Sequence, residues 1–253
     1  GKKDYKYDPR TVVMGALLAP APEAEAPVEF DYDEGKKAFP LDVWGNDANG
    51  DCVFVSEANG LVRLERAESR RTPAVNTDVV LGKYRTLTGS ASPGDAKDEG
   101  YVILDALSDW RHNGWTVGRH DYKITAYGEL DKNDGRELRR AIWLLGGIYT
   151  GFGLPLYVSN LVRSGAKEWD VAGNGPEAEP RSWGGHAMFA KRYDEGGIYF
   201  LTWGQEVYLT NAFIARYCDE AWAVVDALDG HSKHLDVPAL ERILRGLSSN
   251  VGG

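Results

Sequence analysis

Two residue types in this 253-residue chain could carry nucleophilic chemistry: the cysteines Cys52 and Cys218, and five histidines. A thiolate nucleophile needs a depressed pKa, a neighbouring imidazole to hold and move its proton, and donors aimed at the oxyanion. Cys52 opens a stretch in which Val53, Val55, Ala58, Leu61, Val62 and Leu64 fall near helical spacing, with Asp51 or Asn49 available as the cap. A cysteine at such a helix start sits where unpaired N–H groups and the macrodipole favour negative charge. Cys218 follows a helical run and precedes Asp219 and Glu220, which would raise its pKa, so it reads as structural. His186 follows Gly184-Gly185 and opens a hydrophobic strand, which aims its ring from a strand end, and the two glycines let backbone or substrate come close. His112, His120, His231 and His234 lie in polar segments. A plainer reading stands beside this one, with Cys52 a small apolar residue under a helix and His186 a hydrogen-bonded core histidine.

The elements that must position these residues follow from the pattern. After the helix from Cys52 to about Glu68, helices are expected over 77–86 and 100–113, separated by the loop Thr88-Gly89-Ser90-Ala91-Ser92-Pro93-Gly94. Past Trp115 the chain turns to short β-branched and aromatic segments, with strands expected over 123–127, 146–152, 186–193, 198–203 and 221–225. A helix over 134–145 interrupts them, a long polar loop covers 164–182, and Asp194-Glu195-Gly196-Gly197 reads as a hairpin turn. Helices in the first half and antiparallel strands in the second describe an α+β protein of two packed lobes, with 41–115 helical and 116–228 β-rich. Residues 1–40 read as an extended arm or linker, from the alternation of Ala and Pro with Glu and the acidic Asp31-Tyr32-Asp33-Glu34, expected to be solvated. Residues 229–253 read as a C-terminal helix, over 238–247, and tail.

Composition bounds the function. With 43% hydrophobic residues, eight Trp and thirteen Tyr, the chain can bury a large core without staples. Twenty-nine basic residues against thirty-eight acidic ones give a charge of −9, and the basic residues form no stripe, which argues against nucleic acid as a partner. No apolar run reaches the roughly 18 residues of a membrane span. Two distant cysteines make no disulfide framework and fit a reducing compartment. Secretion is not expected. The cysteines and histidines lack zinc spacing, and no phosphate-binding glycine loop is present, so neither a metal nor a cofactor is expected.

Three segments, in order, carry a family resemblance. Asn46-Asp47-Ala48-Asn49-Gly50-Asp51-Cys52-Val53-Phe54 resembles the active-site segment of the papain-like cysteine peptidases, in which an amide side chain six positions before the cysteine serves the oxyanion. Gly185-His186-Ala187-Met188 is similar to that family's histidine strand, and Thr202-Trp203-Gly204-Gln205 to its Asn-Ser-Trp-Gly segment. In overall style the chain is similar to members encoded by bacteriophages and actinobacteria. The resemblance spans about 41–225 and implies a papain-like two-lobed fold, helical lobe first, with a cleft between the lobes. It implies Cys52 as nucleophile, His186 as base, and Asn46 and the Cys52 N–H as oxyanion donors; Trp203, Trp183 and Gly185 are candidate substrate contacts, with core packing the favoured reading for the two tryptophans.

Departures from the pattern weaken the support of the dyad. Asn46 stands where the family has Gln, one methylene shorter, and it reads equally as a turn residue, with Asn49 a less well spaced substitute. Either Leu201 or Thr202 occupies the place of the orienting Asn, and only Thr202 offers a hydroxyl to the ring. Two functions are therefore carried forward. One is a thiol hydrolase acting on peptide or amide bonds of a peptide or protein substrate. The other is a catalytically weak structural or interaction protein, such as a virion component, that meets a partner through its N-terminal arm. The expected location is cytoplasmic or virion-associated.

Overall fold

The computed structural model describes residues 1–16, 18, 26–68 and 72–226. In chain order these form β1 (Phe30–Asp31), α1 (Cys52–Glu68), α2 (Thr77–Thr88), α3 (Ile103–His112), β2 (Trp115–Val117), β3 (His120–Tyr122), β4 (Ala126–Glu129), α4 (Gly135–Leu145), β5 (Ile148–Leu154), α5 (Val158–Ser164), β6 (Glu168–Trp169), β7 (Gly184–Tyr193), β8 (Gly197–Thr202), β9 (Gln205–Thr210), α6 (Asn211–Tyr217) and β10 (Cys218–Val225). The expected helix over 238–247 and the tail 229–253 lie outside the described residues.

One sheet organises the molecule. Its strands run β4-β10-β5-β7-β8-β9-β6, with β1 paired to the far end of β7, and every pairing is antiparallel except β6 with β9. Both faces are covered, so β7 is buried almost continuously instead of alternating. Ala187 and Phe189 enter the helical core with Val53, Phe54, Ala58, Leu61 and Trp110, while Met188 and Ala190 enter the opposite core with Leu138, Ile142, Phe152 and Phe213. The two lobes expected from the sequence are thus two cores sharing a sheet.

α1 is the central helix, and from Cys52 to Leu64 every residue is buried. Its approach to β7 is close at Gly60, where a Cβ would stand 3.0 Å from the Phe189 ring. Its start is fixed by the Asp51 carbonyl, which accepts from the N–H groups of Phe54 and Val55 at 2.9 and 3.1 Å, and by the Tyr149 hydroxyl, which donates to the Val53 carbonyl at 2.6 Å. Neighbouring helices follow ordinary capping rules: Asn76 caps α2 and Asp134 caps α4, and each helix ends in a left-handed glycine, Gly89 or Gly146. Gly146 therefore closes α4, and the strand expected from 146 begins at Ile148. The strand expected over 123–127 is replaced by the hairpin β2–β3, turning at Gly118-Arg119, followed by β4 from Ala126. Neither α5 nor β9 was expected.

Residues 31–33 correct the expectation of a solvated acidic segment, which holds only for the exposed Glu34. Arg63 on α1 is fully buried, with its guanidinium 4.1 Å from the Tyr32 ring centroid and 3.5 Å from Asp33. Lys191 on β7 lies 3.3 Å from Asp33 and 3.1 Å from Glu206. Two buried cations require counter-charges, and the acidic segment supplies them. Part of the described arm also lies on its own chain, with Lys2, Val12, Met14 and Leu18 buried and Val13 bridged to Glu129, while Tyr7, Val28 and residues 35–38 are exposed.

Glu57, fully buried on α1, accepts from the Trp115 indole N–H at 3.1 Å. Burial pushes its carboxyl up to about 8, against the pull of Lys83 and the indole. A folded value above the unfolded one means that its contribution to stability is complete at acid pH and is lost as pH rises through about 8. Glu57→Gln keeps the acceptor and removes the charge. Thermal melts of the two proteins at pH 6 and pH 9 should show a smaller alkaline loss for the variant, and parallel losses would contradict the assignment.

Candidate active site

The site is assembled where the start of α1 meets β7 and the β8–β9 turn. The loop before α1 folds on itself through Asn46 N–H to Val43 O, and through Ala48 and Asn49 N–H to Gly45 O. Its exit is held by Asp98, which accepts from the Gly50 N–H at 2.7 Å and the Tyr84 hydroxyl at 2.6 Å. Cys52, 1% exposed, packs in the same core as Ala187 of β7, whose backbone N–H favours its thiolate. His186 sits immediately before that N–H, across from Phe152 of β5. Cys52 and His186 line one cavity of about 180 Å³, together with Asn46, Asn49, Trp183, Gly185 and Trp203.

The imidazole is held on two sides. Its Nε2 lies 2.7 Å from Thr202 Oγ1, and Trp203 stacks on it with centroids 3.9 Å apart and planes inclined by 12°. With the proton on Nε2 the ring donates to Thr202 and keeps Nδ1 as its acceptor. Of the two residues left open for this position, Thr202 makes the contact, and Leu201 packs in the helical core. Trp203 and Gly204 form the two-residue turn joining Thr202 to Gln205, with φ of 45° and 67°. A positive φ at both positions suits a hairpin turn, but at a tryptophan it is strained, and the strain lays the indole over His186. The indole N–H donates to the Asn46 carbonyl at 3.2 Å, which ties the turn to the loop before Cys52.

Asn46 lines the cavity, but its amide is committed elsewhere. It donates to Asp51 Oδ1 at 2.9 Å and to the Asn49 carbonyl at 3.4 Å, and the Asn49 amide donates to Gly45 O at 2.9 Å. Trp183, 39% exposed, stands at the rim with its ring 5.6 Å from Trp203. Gly185 presents its carbonyl to the Lys2 N–H at 3.0 Å. That neighbour was invisible to sequence reasoning: the glycine pair signalled a close approach, and nothing signalled that residues 1–3 of the same chain make it. Cys218 is buried at the start of β10, and burial pushes its thiol up to about 12. His112 and His120 are exposed.

Burial dominates the electrostatics. It depresses His186 to about 3, and it raises Cys52 against the opposing pull of the Ala187 N–H. It also raises Asp51 to about 7, the Asn46 amide opposing. Burial therefore favours the neutral form of both the thiol and the imidazole.

No family model matches the chain, and no curated protein matches it. Among solved structures it is similar to xylellain, a cysteine protease from Xylella fastidiosa, at 16% identity over 90% of this chain and 96% of that one, with a TM-score of 0.68. The fold is that of papain-like cysteine proteases. Other papain-like neighbours include the Carica candamarcensis cysteine protease CMS1MS2, at 11% identity, TM-score 0.57, over 79% of this chain and 99% of that one. The cysteine protease and lectin-like domains of Cwp84 from Clostridium difficile are similar at 10% identity, TM-score 0.59, over 87% of this chain and 57% of that one. The α+β class, helical lobe first and antiparallel sheet second, agrees with the papain-like expectation.

Two outcomes follow. Thr202→Val strands a buried imidazole N–H while keeping the side-chain shape, and should cost about 1–3 kcal/mol in urea unfolding; an unchanged midpoint would remove Thr202 as a partner of His186. Because His186 is depressed, its contribution to stability is present above about 6.5, the ordinary value, and is lost as pH falls toward about 3. Its ring resonances in a pH titration should report a neutral imidazole from pH 8 down to about 4.

Proposed function

We propose that this protein is a papain-like thiol hydrolase that acts on peptide or amide bonds through Cys52 and His186. One observation carries the reading: the thiol at the start of a helix shares a cavity with an imidazole held by Thr202 and stacked under Trp203. His186 takes the thiol proton as the sulfur attacks the carbonyl carbon, and the imidazolium returns it to the departing amine, leaving a thioester on Cys52. Water, deprotonated by His186, then attacks the thioester, and the carboxylic product leaves as Cys52 regains its proton. The Cys52 N–H is one oxyanion donor. Asn46 is the other once its amide turns from Asp51 toward the cavity, and a donor of this kind is worth about 2.7–4 kcal/mol of barrier. Trp183, Gly185 and Trp203 contact the substrate. This chemistry calls for no cofactor, and no helix among the described residues is long and apolar enough to cross a membrane.

The weakly active or inactive scaffold, as in a virion component, is the second reading. It is favoured by the commitment of the Asn46 amide to Asp51 and by burial that disfavours charge on Cys52 and His186. A peptide bearing a thiol-reactive electrophile separates the two: the enzyme reading expects covalent labelling that maps by mass spectrometry to Cys52, is abolished by Cys52→Ala and persists in Cys218→Ala. Absence of any label on the unsubstituted protein favours the scaffold.

A further inference from the structure

Residues 1–3 lie in the cleft as a peptide would. The Lys2 N–H donates to Gly185 O at 3.0 Å on the sheet side, while on the helical side the Lys3 N–H donates to Tyr101 O at 2.9 Å and the Tyr101 N–H donates to Gly1 O at 3.0 Å. Gly1 lines the cavity that holds Cys52 and His186. Main-chain pairing of this kind is sequence-tolerant, and selectivity comes from the pocket that receives a side chain.

That pocket is built for a cation. The Lys2 side chain is fully buried, with Nζ 2.8 Å from Glu220 Oε1 and 3.0 Å from Asp219 Oδ1. Glu220 is itself 2% exposed; its Oε2 accepts from the Trp222 indole at 2.8 Å, whereas Oε1 has no hydrogen-bond partner beyond its ion pair with Lys2. Asp219 is shared with Arg181 at 2.8 Å, so Glu220 is the carboxylate that depends on the incoming ammonium. The channel is cut into the sheet by glycines. A Cβ at Gly151 would stand 2.1 Å from Lys2 Cε, and one at Gly185 would stand 2.1 Å from the Lys2 carbonyl oxygen. Neither glycine has a positive φ, so space for the lysine, not backbone conformation, is what the missing side chains provide.

We propose that the pocket closed by Glu220 is a specificity site for a lysine or other cationic side chain of the substrate, and that Lys2 is its resident occupant. A neutral chain there leaves a buried carboxylate oxygen unpaired, a repulsive element against the wrong ligand as much as an attraction for the right one. The proposal rests on the hydrolase reading only for the name substrate; the selectivity itself needs no catalysis.

The test is therefore binding, in a Cys52→Ala chain that also carries Lys2→Ala to vacate the pocket. Fluorescent tetrapeptides with lysine or its neutral isostere norleucine, placed at each position in turn, are titrated by anisotropy. The lysine peptide should bind about tenfold or more tighter at one position, and Glu220→Gln should bring the two within about threefold. Equal affinities at every position, or a preference that survives Glu220→Gln, overturns the proposal. Should Lys2→Ala fail to fold, hydrogen exchange of residues 1–7 in the unsubstituted chain reads the same competition. The lysine peptide should accelerate that exchange and the norleucine peptide should not, and equal acceleration overturns the proposal. Failure of electrophile labelling with the binding preference intact would sink the hydrolase reading alone.

Discussion

The first turn of α1 pressed against β7 is the contact on which the site depends. It brings the sulfur of Cys52 to the N–H of Ala187, and with it His186, one residue earlier on the same strand. The approach is possible because Gly60 gives Phe189 room, and it is held because buried polar groups on the helix find partners. Arg63 reaches the Gly146 carbonyl at 3.0 Å and Asp33 at 3.5 Å, and Glu57 takes the Trp115 indole. A helix buried on all sides cannot carry charge without such compensation, so residues 31–33 belong to the same structural unit as the helix they neutralise.

The same close packing sets the electrical state of the dyad. Burial disfavours charge on either group, pushing Cys52 up and His186 down, which favours a neutral thiol and imidazole over a thiolate and imidazolium. The chain's own residues border the site, with Gly1 at the cavity wall and Lys2 paired to Gly185.

Much of this was legible in the residues, for identifiable reasons. The helix from Cys52 to Glu68 follows from apolar spacing that tertiary burial only reinforced, and α4 from a capping aspartate and a terminal glycine. Strand β9 was overlooked although Val207 and Leu209 alternate with polar neighbours, because residues 202–205 were read as a motif and not as the turn that starts a strand. The role of residues 31–33 is hidden, since local composition is acidic and the cations that recruit it lie far along the chain. Equally, Lys2 gives no local sign of burial. Its pocket requires Gly151, Gly185 and Glu220, brought together only by the register of β5 with β7 and β10.

The altered support positions acquire a common logic from the hairpin turn. In place of a side-chain amide, a threonine hydroxyl meets the imidazole, and Thr202 is short enough to do so only because the chain reverses at once, through a left-handed Trp203. That strained residue spends its indole face on His186 and its N–H on the Asn46 carbonyl. The bond fixes the Asn46 backbone while leaving its amide to Asp51, whose carboxyl burial has raised to about 7. As Asp51 ionises it becomes the stronger acceptor and grips the amide harder, and as it protonates the grip relaxes. In the proposed reaction, the availability of Asn46 as an oxyanion donor would therefore follow the charge on Asp51, the residue just before Cys52.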